Sequence, residues 1–439
     1  MSAPSDRAPQ KGIAPAFFVL GLASGLFLAL VIDRVTQRFF DEDMELIRAV
    51  HRLARDEFVR EVDTDQLTDD AMRGIVEGLD RYSRFYGPED IAQIDRETTG
   101  EFRGIGVIFR RAEVGQVLFP YPGSPAARAG IQVGDRIVRI DGTSTADMDA
   151  DEFSRTLTSA GDQILVHARD LEGVERELTI EPRRIIDPPI RHMRMVDEER
   201  GIGYLAILSF SHRTPGEFDH AVAQLKSSGL KALIVDLRSN PGGILDAAVQ
   251  VANRFIAEGT LVATQTRRTT RITEAEESLA ELTDLPLVVL IDSGSASASE
   301  VLAGALQDHA VAALVGESTY GKGTVQTLER FPGDRALVKI TTANYYTPSG
   351  RSIERDPEQP GSAGIPPDLL VEIPDTERRR IHAFLYTYSP PPAALEKLRA
   401  WEERDAVELV AEPPEDRQLE AALALLKKDL PGIEADTLR

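Results

Sequence analysis

The longest apolar segment of the chain is an uncharged run near its start, from Ile13 to Ile32. Its 20 residues are about the length that a helix needs to cross a bilayer. The run exceeds the apolar part of a usual secretion signal, and no small-residue cleavage site precedes Asp33. The pattern favours an uncleaved single-pass anchor. The alternative is a cleaved signal peptide that leaves an exported soluble protein.

Charges on either side of this run predict its orientation. Arg7 and Lys11 lie in the N-terminal tail, residues 1–12, whereas an acidic cluster at 41–43 follows the span. Basic residues concentrate on the cytoplasmic side of membrane spans. We therefore expect residues beyond the span to lie outside the cytoplasm, in the periplasm, with the chain attached to the cell membrane.

Helical spacing of apolar residues follows at 44–58 and 68–82, which predicts a helical N-terminal region over residues 33–100. This region is either a spacer or a surface through which subunits pair. Past residue 375 the chain becomes charged and is broken by prolines. Two helical patterns, Ala393 to Val410 and Asp416 to Leu430, complete a C-terminal helical region over 376–439.

Between these regions, apolar runs alternate with helical segments, which indicates α/β layering. The helices are expected to begin near Thr214, Gly243 and Ala298. The predicted strands are Gly203 to Phe210, Leu230 to Leu237, Leu285 to Ile291 and Val311 to Val315. A polar segment at 267–282 is expected to lie on the surface.

Composition narrows the function classes. The 439 residues predict two or three domains, and 42% apolar with 28% charged residues is typical of a globular chain. A net charge of −22 argues against nucleic-acid binding, which requires a basic face. The absence of cysteine excludes disulfides, thiolate catalysis and cysteine metal sites.

The run from Gly294 to Glu300 contains a candidate serine nucleophile, Ser297, and a glycine-flanked lysine, Lys322, follows it. Their separation in sequence, 322 − 297 = 25, leaves room for one helix and one strand. A serine hydroxyl needs a base, and a neutral lysine can serve as one. Because an exposed lysine is charged at neutral pH, such a base must be buried enough for its pKa to fall.

Three other interpretations compete with this pair. Ser297 and Glu300 also fit a helix capping box. The segment from Gly316 to Lys322 resembles a phosphate-binding loop, but Gly323 stands where that loop needs Ser or Thr, and a strand pattern follows. His309 could act as the base, although it lies roughly three turns along the same helix.

A glycine pair follows the second predicted core strand, in Asn240-Pro241-Gly242-Gly243. Paired glycines can direct backbone N–H groups at a substrate without side chains in the way. Such donors form the oxyanion hole of a serine hydrolase. An ordinary strand-to-helix turn is the alternative.

These motifs, in this order, resemble the carboxyl-terminal processing proteases, a tail-specific serine protease family with an embedded PDZ domain. The resemblance runs from about Leu46 to Ile373 and includes the segments LRSNPGG, SASASE, GKGTVQ and YYTPSGRSI. It implies a crotonase-like ββα-spiral protease core over 186–375 with no cofactor or metal. It further implies that Ser297 is the nucleophile, Lys322 the base and Gln326 the residue that orients the lysine. A glycine N–H, from Gly242 or Gly243, would form the oxyanion hole with Ala298.

The segment 101–185 resembles an α+β PDZ domain inserted before that core. Its carboxylate-binding loop would comprise Arg103, Gly104, Ile105, Gly106 and Val107. In PDZ domains a peptide adds as a strand to a sheet edge, while loop amides hold its terminal carboxylate. The glycines would turn the amides inward, and Ile105 and Val107 would line an apolar pocket.

The sequence therefore predicts a membrane-tethered serine endopeptidase that binds apolar C-terminal tails of extracytoplasmic proteins and cleaves upstream of them. Two rival functions stay open at this point. One is a PDZ scaffold that binds tails without cutting, and the other is a crotonase-type acyl-CoA enzyme. A homo-oligomer and an adaptor protein also stay open as partners.

Overall fold

The computed structural model of the protein describes residues 43–110, 113–159, 161–355, 364–387, 392–405 and 414–429. They form two compact units that divide between Arg81 and Tyr82. The predicted tail at 1–12 and the predicted span at 13–32 lie outside the described residues. In the ranges given, no helix is long and apolar enough to cross a membrane.

From residue 43 onward, the first unit contains the helices α1 (43–57) and α2 (Thr64–Glu77), in the region where helical periodicity predicted helices. Asp63 caps α2 by accepting the N–H groups of Asp65 and Gln66. Such a cap satisfies donors that have no partner within the helix.

The second unit begins with the elements that precede the protease core. In chain order they are β1 (Arg84–Tyr86), α3 (Pro88–Thr99), β2 (Glu101–Gly104), β3 (Val107–Phe109), β4 (Val117–Pro120), α4 (Pro125–Ala129), β5 (Arg136–Ile140), β6 (Thr143–Ser144), α5 (Ala150–Ser159), β7 (Ile164–Arg169), β8 (Glu175–Ile180) and β9 (Arg183–Ile186).

The core and the C-terminal helices follow. Their elements are β10 (Ile190–Asp197), β11 (Ile202–Ile207), α6 (Thr214–Ser227), β12 (Ala232–Asp236), α7 (Leu245–Asn253), β13 (Thr260–Thr266), β14 (Thr270–Glu274), β15 (Leu287–Ile291), α8 (Ala298–Asp308), β16 (Ala313–Gly316), β17 (Thr324–Arg330), β18 (Leu337–Tyr346), β19 (Leu369–Leu370), α9 (Asp375–Thr387), α10 (Pro392–Asp405) and α11 (Arg417–Asp429).

The centre of this unit is a six-stranded sheet in the order β10-β11-β12-β15-β16-β19. Its strands are parallel from β11 onward, and β10 is antiparallel at one edge. Helices cover both faces. On β12, Leu233 and Val235 pack with residues of α6, α7 and α8, whereas Ala232 and Ile234 pack with residues of α9, α10 and α11. Burial on both faces explains why these strands are continuous apolar runs.

An antiparallel sheet lies beside the central one, in the order β1-β18-β13-β14, with β17 also paired to β18. Arg84 on β1 pairs with Lys339 on β18. The predicted N-terminal region at 33–100 is therefore divided, since its last part belongs to the second unit. The hairpin that includes β14 is largely exposed, as expected for the segment 267–282.

The segment predicted to be a PDZ domain has its own apolar core, which includes Ile137, Phe153 and Val166. A four-stranded antiparallel sheet, β6-β5-β7-β8, packs with α4 and α5, and β3 pairs with β4. Glu101 on β2 pairs with Ile186 on β9. This pairing brings the two ends of the segment together, as an insertion requires.

The C-terminal helices are part of the core. Ala422 and Leu426 of α11 are buried against the central sheet, so the apolar side of this helix docks within the protein. Arg238, just after β12, is 2% exposed and pairs with Asp236 at 2.6 Å and Asp416 at 2.7 Å. The helix α9 lies in the predicted C-terminal helical region at 376–439, although neither of the two predicted helical patterns includes it.

Candidate active site

Three loops meet at the carboxyl ends of β12, β15 and β16. They carry the glycine pair, Ser297 and Lys322, in that order along the chain. Since the three strands are adjacent and parallel, their carboxyl ends lie at one edge of the sheet. Topology thereby brings together motifs that are up to 80 residues apart, since 322 − 242 = 80.

Buried polar side chains join the first two loops. Asp292 accepts the N–H of Ser239 at 2.7 Å and that of Gly294 at 2.9 Å. Asn240 is fully buried; its carbonyl accepts the Ala296 N–H at 2.9 Å. These bonds leave little freedom in the backbone that leads to Ser297.

The serines of this segment have different environments, which distinguishes the nucleophile candidate. Ser295 and Ser299 are fully buried, and their hydroxyls donate to the carbonyls of Leu237 at 2.8 Å and Asn240 at 3.0 Å. Both are therefore structural. Ser297 is partly exposed and accepts a hydrogen bond at Oγ from the Tyr345 hydroxyl at 2.8 Å.

Ser297 has an unusual backbone conformation, with φ 58° and ψ −115°. A non-glycine residue with positive φ costs conformational energy and persists where its surroundings hold it. Ser297 and Glu300 form a capping box at the start of α8, in which the Glu300 carboxylate accepts the Ser297 N–H at 2.7 Å. The capping interpretation and the nucleophile interpretation are thus compatible.

The Glu300 carboxylate also binds the third loop. Its Oε2 accepts the N–H groups of both Ser297 and Lys322, the latter at 2.9 Å. Its Oε1 accepts the Gly321 N–H at 2.7 Å and the Thr319 hydroxyl at 2.6 Å. Burial raises the pKa of Glu300, and these four donors oppose that rise. One buried carboxylate therefore connects the backbones of Ser297 and Lys322.

Lys322 lies between glycines for reasons that the structure makes explicit. Gly321 has φ 86°, and a Cβ at Gly323 would lie 2.4 Å from the Glu354 nitrogen. Lys322 is partly buried, and its Nζ lies 5.0 Å from the centre of the Tyr82 ring. The following segment is the strand β17, so the phosphate-loop interpretation has no helix to support it.

Gln326 lies on β17, and its amide nitrogen donates to Thr324 at 2.9 Å and Thr341 at 3.3 Å. Its predicted role toward Lys322 stays a prediction. His309 is the C-cap of α8, and its Nε2 contacts the Thr260 carbonyl at 2.7 Å. This position at the far end of the helix agrees with a helix-terminal role.

The candidate oxyanion donors are not equivalent. The Gly242 N–H already donates to Asn240 Oδ1 at 2.8 Å. A Cβ at Gly242 would lie 2.8 Å from Ser297 Cβ, so this glycine gives space beside the nucleophile. Among the described residues, no acceptor binds the N–H of Gly243 or that of Ala298, the first residue of α8.

The residues of the predicted PDZ loop differ in burial. Ile105 is 1% exposed and belongs to the domain core, whereas Val107 is partly buried. Gly104 is buried at the end of β2, and Gly106 has φ 76°. Arg103 donates to the Gly161 carbonyl at 2.8 Å. Ile105 therefore packs the domain rather than lining an open pocket.

Sequence reasoning missed Tyr345 and the full role of Glu300. Glu300 was identified only as a capping partner, and Tyr345 only as part of a motif. The residues next to Tyr345 and Glu300 in the sequence do not indicate these roles. The contact of Tyr345 with Ser297 and that of Glu300 with the Lys322 backbone both join elements that are distant in sequence. As for metals, no cluster of three or more ligating residues occurs in the described ranges.

Comparisons with known proteins identify the family to which the chain belongs. The family model described as peptidase family S41 matches residues 201–371, and a PDZ domain model matches 117–166. A carboxy-terminal-processing protease of Bartonella bacilliformis is 33% identical over 82% of this chain and 83% of its own length. A carboxyl-terminal-processing protease of Synechocystis is 37% identical over 67% of this chain and 68% of its own.

Among solved structures, a photosystem II D1 C-terminal processing protease is 30% identical. The similarity covers 73% of this chain and 85% of that one, with a TM-score of 0.42. The two family models and the two curated relatives define a class, the serine peptidases with a PDZ domain. The chain belongs to peptidase family S41, among the carboxy-terminal-processing proteases. The predicted fold class is confirmed: a mixed α/β peptidase fold with a PDZ domain and terminal helices.

Proposed function

We propose that this peptidase uses a Ser297–Lys322 dyad and cleaves extracytoplasmic proteins upstream of C-terminal tails that its PDZ domain binds. The observation that carries the proposal is the Glu300 carboxylate, whose Oε2 accepts the N–H groups of both Ser297 and Lys322. A nucleophile and its base must keep a fixed distance and orientation, and a buried acceptor that binds both backbones helps to fix them.

Acylation follows from this arrangement. Neutral Lys322 removes the proton from Ser297 Oγ, and Oγ forms a bond to the scissile carbonyl carbon. The carbonyl electron pair moves to its oxygen, which the N–H groups of Gly243 and Ala298 stabilise. When the tetrahedral intermediate collapses, the peptide C–N bond breaks and the amine leaves with the proton that Lys322 had taken.

Deacylation repeats these steps with water. Lys322 takes a proton from the water as its oxygen bonds to the acyl carbon. Collapse of the second intermediate then breaks the bond to Ser297 Oγ, and Lys322 returns the proton to that atom. In this proposal Gln326 orients the lysine, as the family resemblance implies.

Tail recognition is assigned to the edge of β3. In the described ranges β3 pairs only with β4, so its other edge is available for an added strand. Phe109 of β3 contacts Phe153 of α5, with ring centroids 4.8 Å apart, so one face of the strand packs on that helix. Val107 would contact the terminal apolar side chain, and the backbone at Gly104 and Gly106 would surround the carboxylate.

The location outside the cytoplasm rests on the uncharged run at 13–32 and its flanking charges. We propose that this run remains as an anchor. N-terminal sequencing of the protein from membranes tests this point. A mature chain that begins near Asp33 would replace the anchor with a cleaved signal.

The central test is cleavage of an unstructured protein with an apolar C-terminal tail. Wild-type protein should produce fragments cut upstream of the tail, and Ser297→Ala should produce none while still binding the tail. Ser293→Ala is the matched control, because Ser293 is exposed and lies in the same loop.

Each outcome separates the candidate functions. Tail binding without cleavage by the wild type would indicate a scaffold. Turnover of an acyl-CoA without peptide cleavage would indicate a crotonase-type enzyme. Equal cleavage by Ser297→Ala and the wild type would exclude Ser297 as the nucleophile.

A further inference from the structure

Tyr345 contacts the atom that reacts. Its hydroxyl donates to Ser297 Oγ at 2.8 Å, although the two residues are 48 positions apart. A hydroxyl in this place affects any charge that develops on Oγ. The dyad mechanism assigns no role to it.

The tyrosine is held firmly on two sides. Its backbone N–H donates to the Gly323 carbonyl at 2.9 Å, in the loop that carries Lys322, and its strand pairs with β13 at Thr264. The side chain is 2% exposed within the main apolar cluster. Tyr345 thus joins the lysine loop by its backbone and the serine by its side chain.

The protonation state of the phenol determines what it can do. Burial raises the pKa of Tyr345; its bond to Ser297 opposes this, while the charges of Glu300 and Glu354 raise the pKa further. The titratable groups that act on its pKa include these two carboxylates and the Tyr82 phenol, and Lys322 Nζ lies 5.0 Å from the centre of that Tyr82 ring. A phenol in such surroundings remains neutral at physiological pH, so it donates a proton to a hydrogen bond and does not serve as a base.

We propose that Tyr345 is a further catalytic residue, whose neutral hydroxyl stabilises negative charge on Ser297 Oγ during acylation and deacylation. The proposal rests on the function proposed above. As the proton moves from Oγ to Lys322, charge accumulates on Oγ and the bond from Tyr345 strengthens. The same bond stabilises Oγ when it leaves the acyl carbon. The phenolic proton stays on Tyr345 throughout.

Tyr345→Phe removes the hydroxyl and keeps the ring. We expect kcat to fall about 10- to 100-fold with KM little changed, because a bond to a developing charge is lost. The lysine-dependent limb of the pH–rate profile should keep its position while the plateau falls. Tyr346→Phe is the matched control, since the next residue on a strand points to the opposite face.

The outcomes are distinct. A Tyr345→Phe rate within twofold of wild type overturns the proposal, and so does an increase, which would mean that the hydroxyl restrains the serine. Should the variant unfold early, 3-fluorotyrosine placed at 345 gives a second test, because it keeps a more acidic donor. A rate at least equal to wild type is expected, and a fall comparable with loss of the hydroxyl contradicts the proposal.

Ser297→Ala and Lys322→Arg, measured beside these variants, report on the dyad itself. If both are inactive and Tyr345→Phe equals wild type, the proposed peptidase function stands and only the tyrosine proposal fails. If Lys322→Arg is active, the dyad fails, and Tyr345→Phe still reports whether the serine needs a donor.

Discussion

The loops around Ser297 and the PDZ loop from Arg103 to Val107 both use glycine, yet they are fixed in different ways. Around Ser297, buried side chains such as Asp292 and Glu300 accept several backbone N–H groups each. In the PDZ loop, main-chain pairing dominates: the carbonyl of Ile105 accepts the Ala126 N–H at 2.9 Å.

The loops around Ser297 and the PDZ loop differ in this way because they have different functional requirements. A catalytic site fails when reacting atoms shift by about 1 Å, so each loop is fixed by several buried contacts. A strand edge binds peptides of many sequences through backbone groups, and only a few pockets discriminate among them. Single substitutions should therefore change the cleavage rate strongly in the loops around Ser297 and more gradually in the PDZ loop.

The largest expected effect is that of Lys322→Arg. Arginine keeps the positive charge but cannot lose its proton in this pH range, so cleavage should fall by about 10⁴-fold or more. Cleavage of a tailed substrate measures the rate, with Lys339→Arg on β18 as a matched control. Activity near that of wild type would contradict the lysine base, and His309 would have to be reconsidered.

Arg238→Ala tests the buried core beneath the catalytic loops. Removing the guanidinium leaves Asp236 and Asp416 without their cation, which should cost about 3–5 kcal/mol of unfolding free energy. Urea unfolding measures the change. Arg254→Ala breaks a pair with the half-exposed Asp219 and should cost about 1 kcal/mol or less. Equal losses of unfolding free energy in the two variants would contradict a larger contribution from the buried Arg238 ion pairs.

Acid should weaken the contact between β10 and α9. Burial lowers the pKa of His192 to about 4, and its ring lies 4.4 Å from that of Phe384. The unfolded chain binds this proton more tightly, so stability should fall as pH decreases from about 6.5 to 4, by about 3 kcal/mol. Urea unfolding across this range should show a weaker dependence in His192→Gln. An identical dependence would exclude His192 as the cause.

Glu300→Gln tests the shared acceptor. In the variant an amide nitrogen replaces one carboxylate oxygen and faces N–H or O–H donors, with which it cannot form hydrogen bonds as an acceptor. The backbones of Ser297 and Lys322 should therefore be held less firmly in their relative positions. We expect kcat to fall about 100-fold, with the fold retained. Glu274→Gln on the exposed β14 is the control. A rate unchanged from wild type would mean that the loops keep their geometry without the carboxylate.

The smallest expected effect concerns the PDZ loop. Adding Asp-Asp to an apolar tail should slow cleavage by about tenfold, since charged residues do not fit an apolar pocket beside Val107. Adding Ala-Ala controls for length, and competition between the two substrates measures the ratio. Equal rates would contradict tail selection at this loop and leave the peptidase assignment unaffected.

The sequence alone identified the class of fold and the region of the site. The apolar runs at 230–237 and 285–291 predicted core strands in an α/β arrangement, and β12 and β15 occur there. The helix that begins at Ala298 was also predicted, and α8 begins at that residue. Such features can be predicted from local sequence, because the burial of a strand or helix requires a regular pattern of apolar residues within that element.

Tertiary structure determined which groups meet. Nothing near Tyr345 in the sequence indicates that its hydroxyl reaches Ser297, and nothing near Glu300 indicates that it binds the Lys322 backbone. Likewise, Arg238 finds Asp416 only when α11 docks on the sheet. These contacts depend on the order of strands and on long-range packing, which a single sequence does not encode in any local pattern.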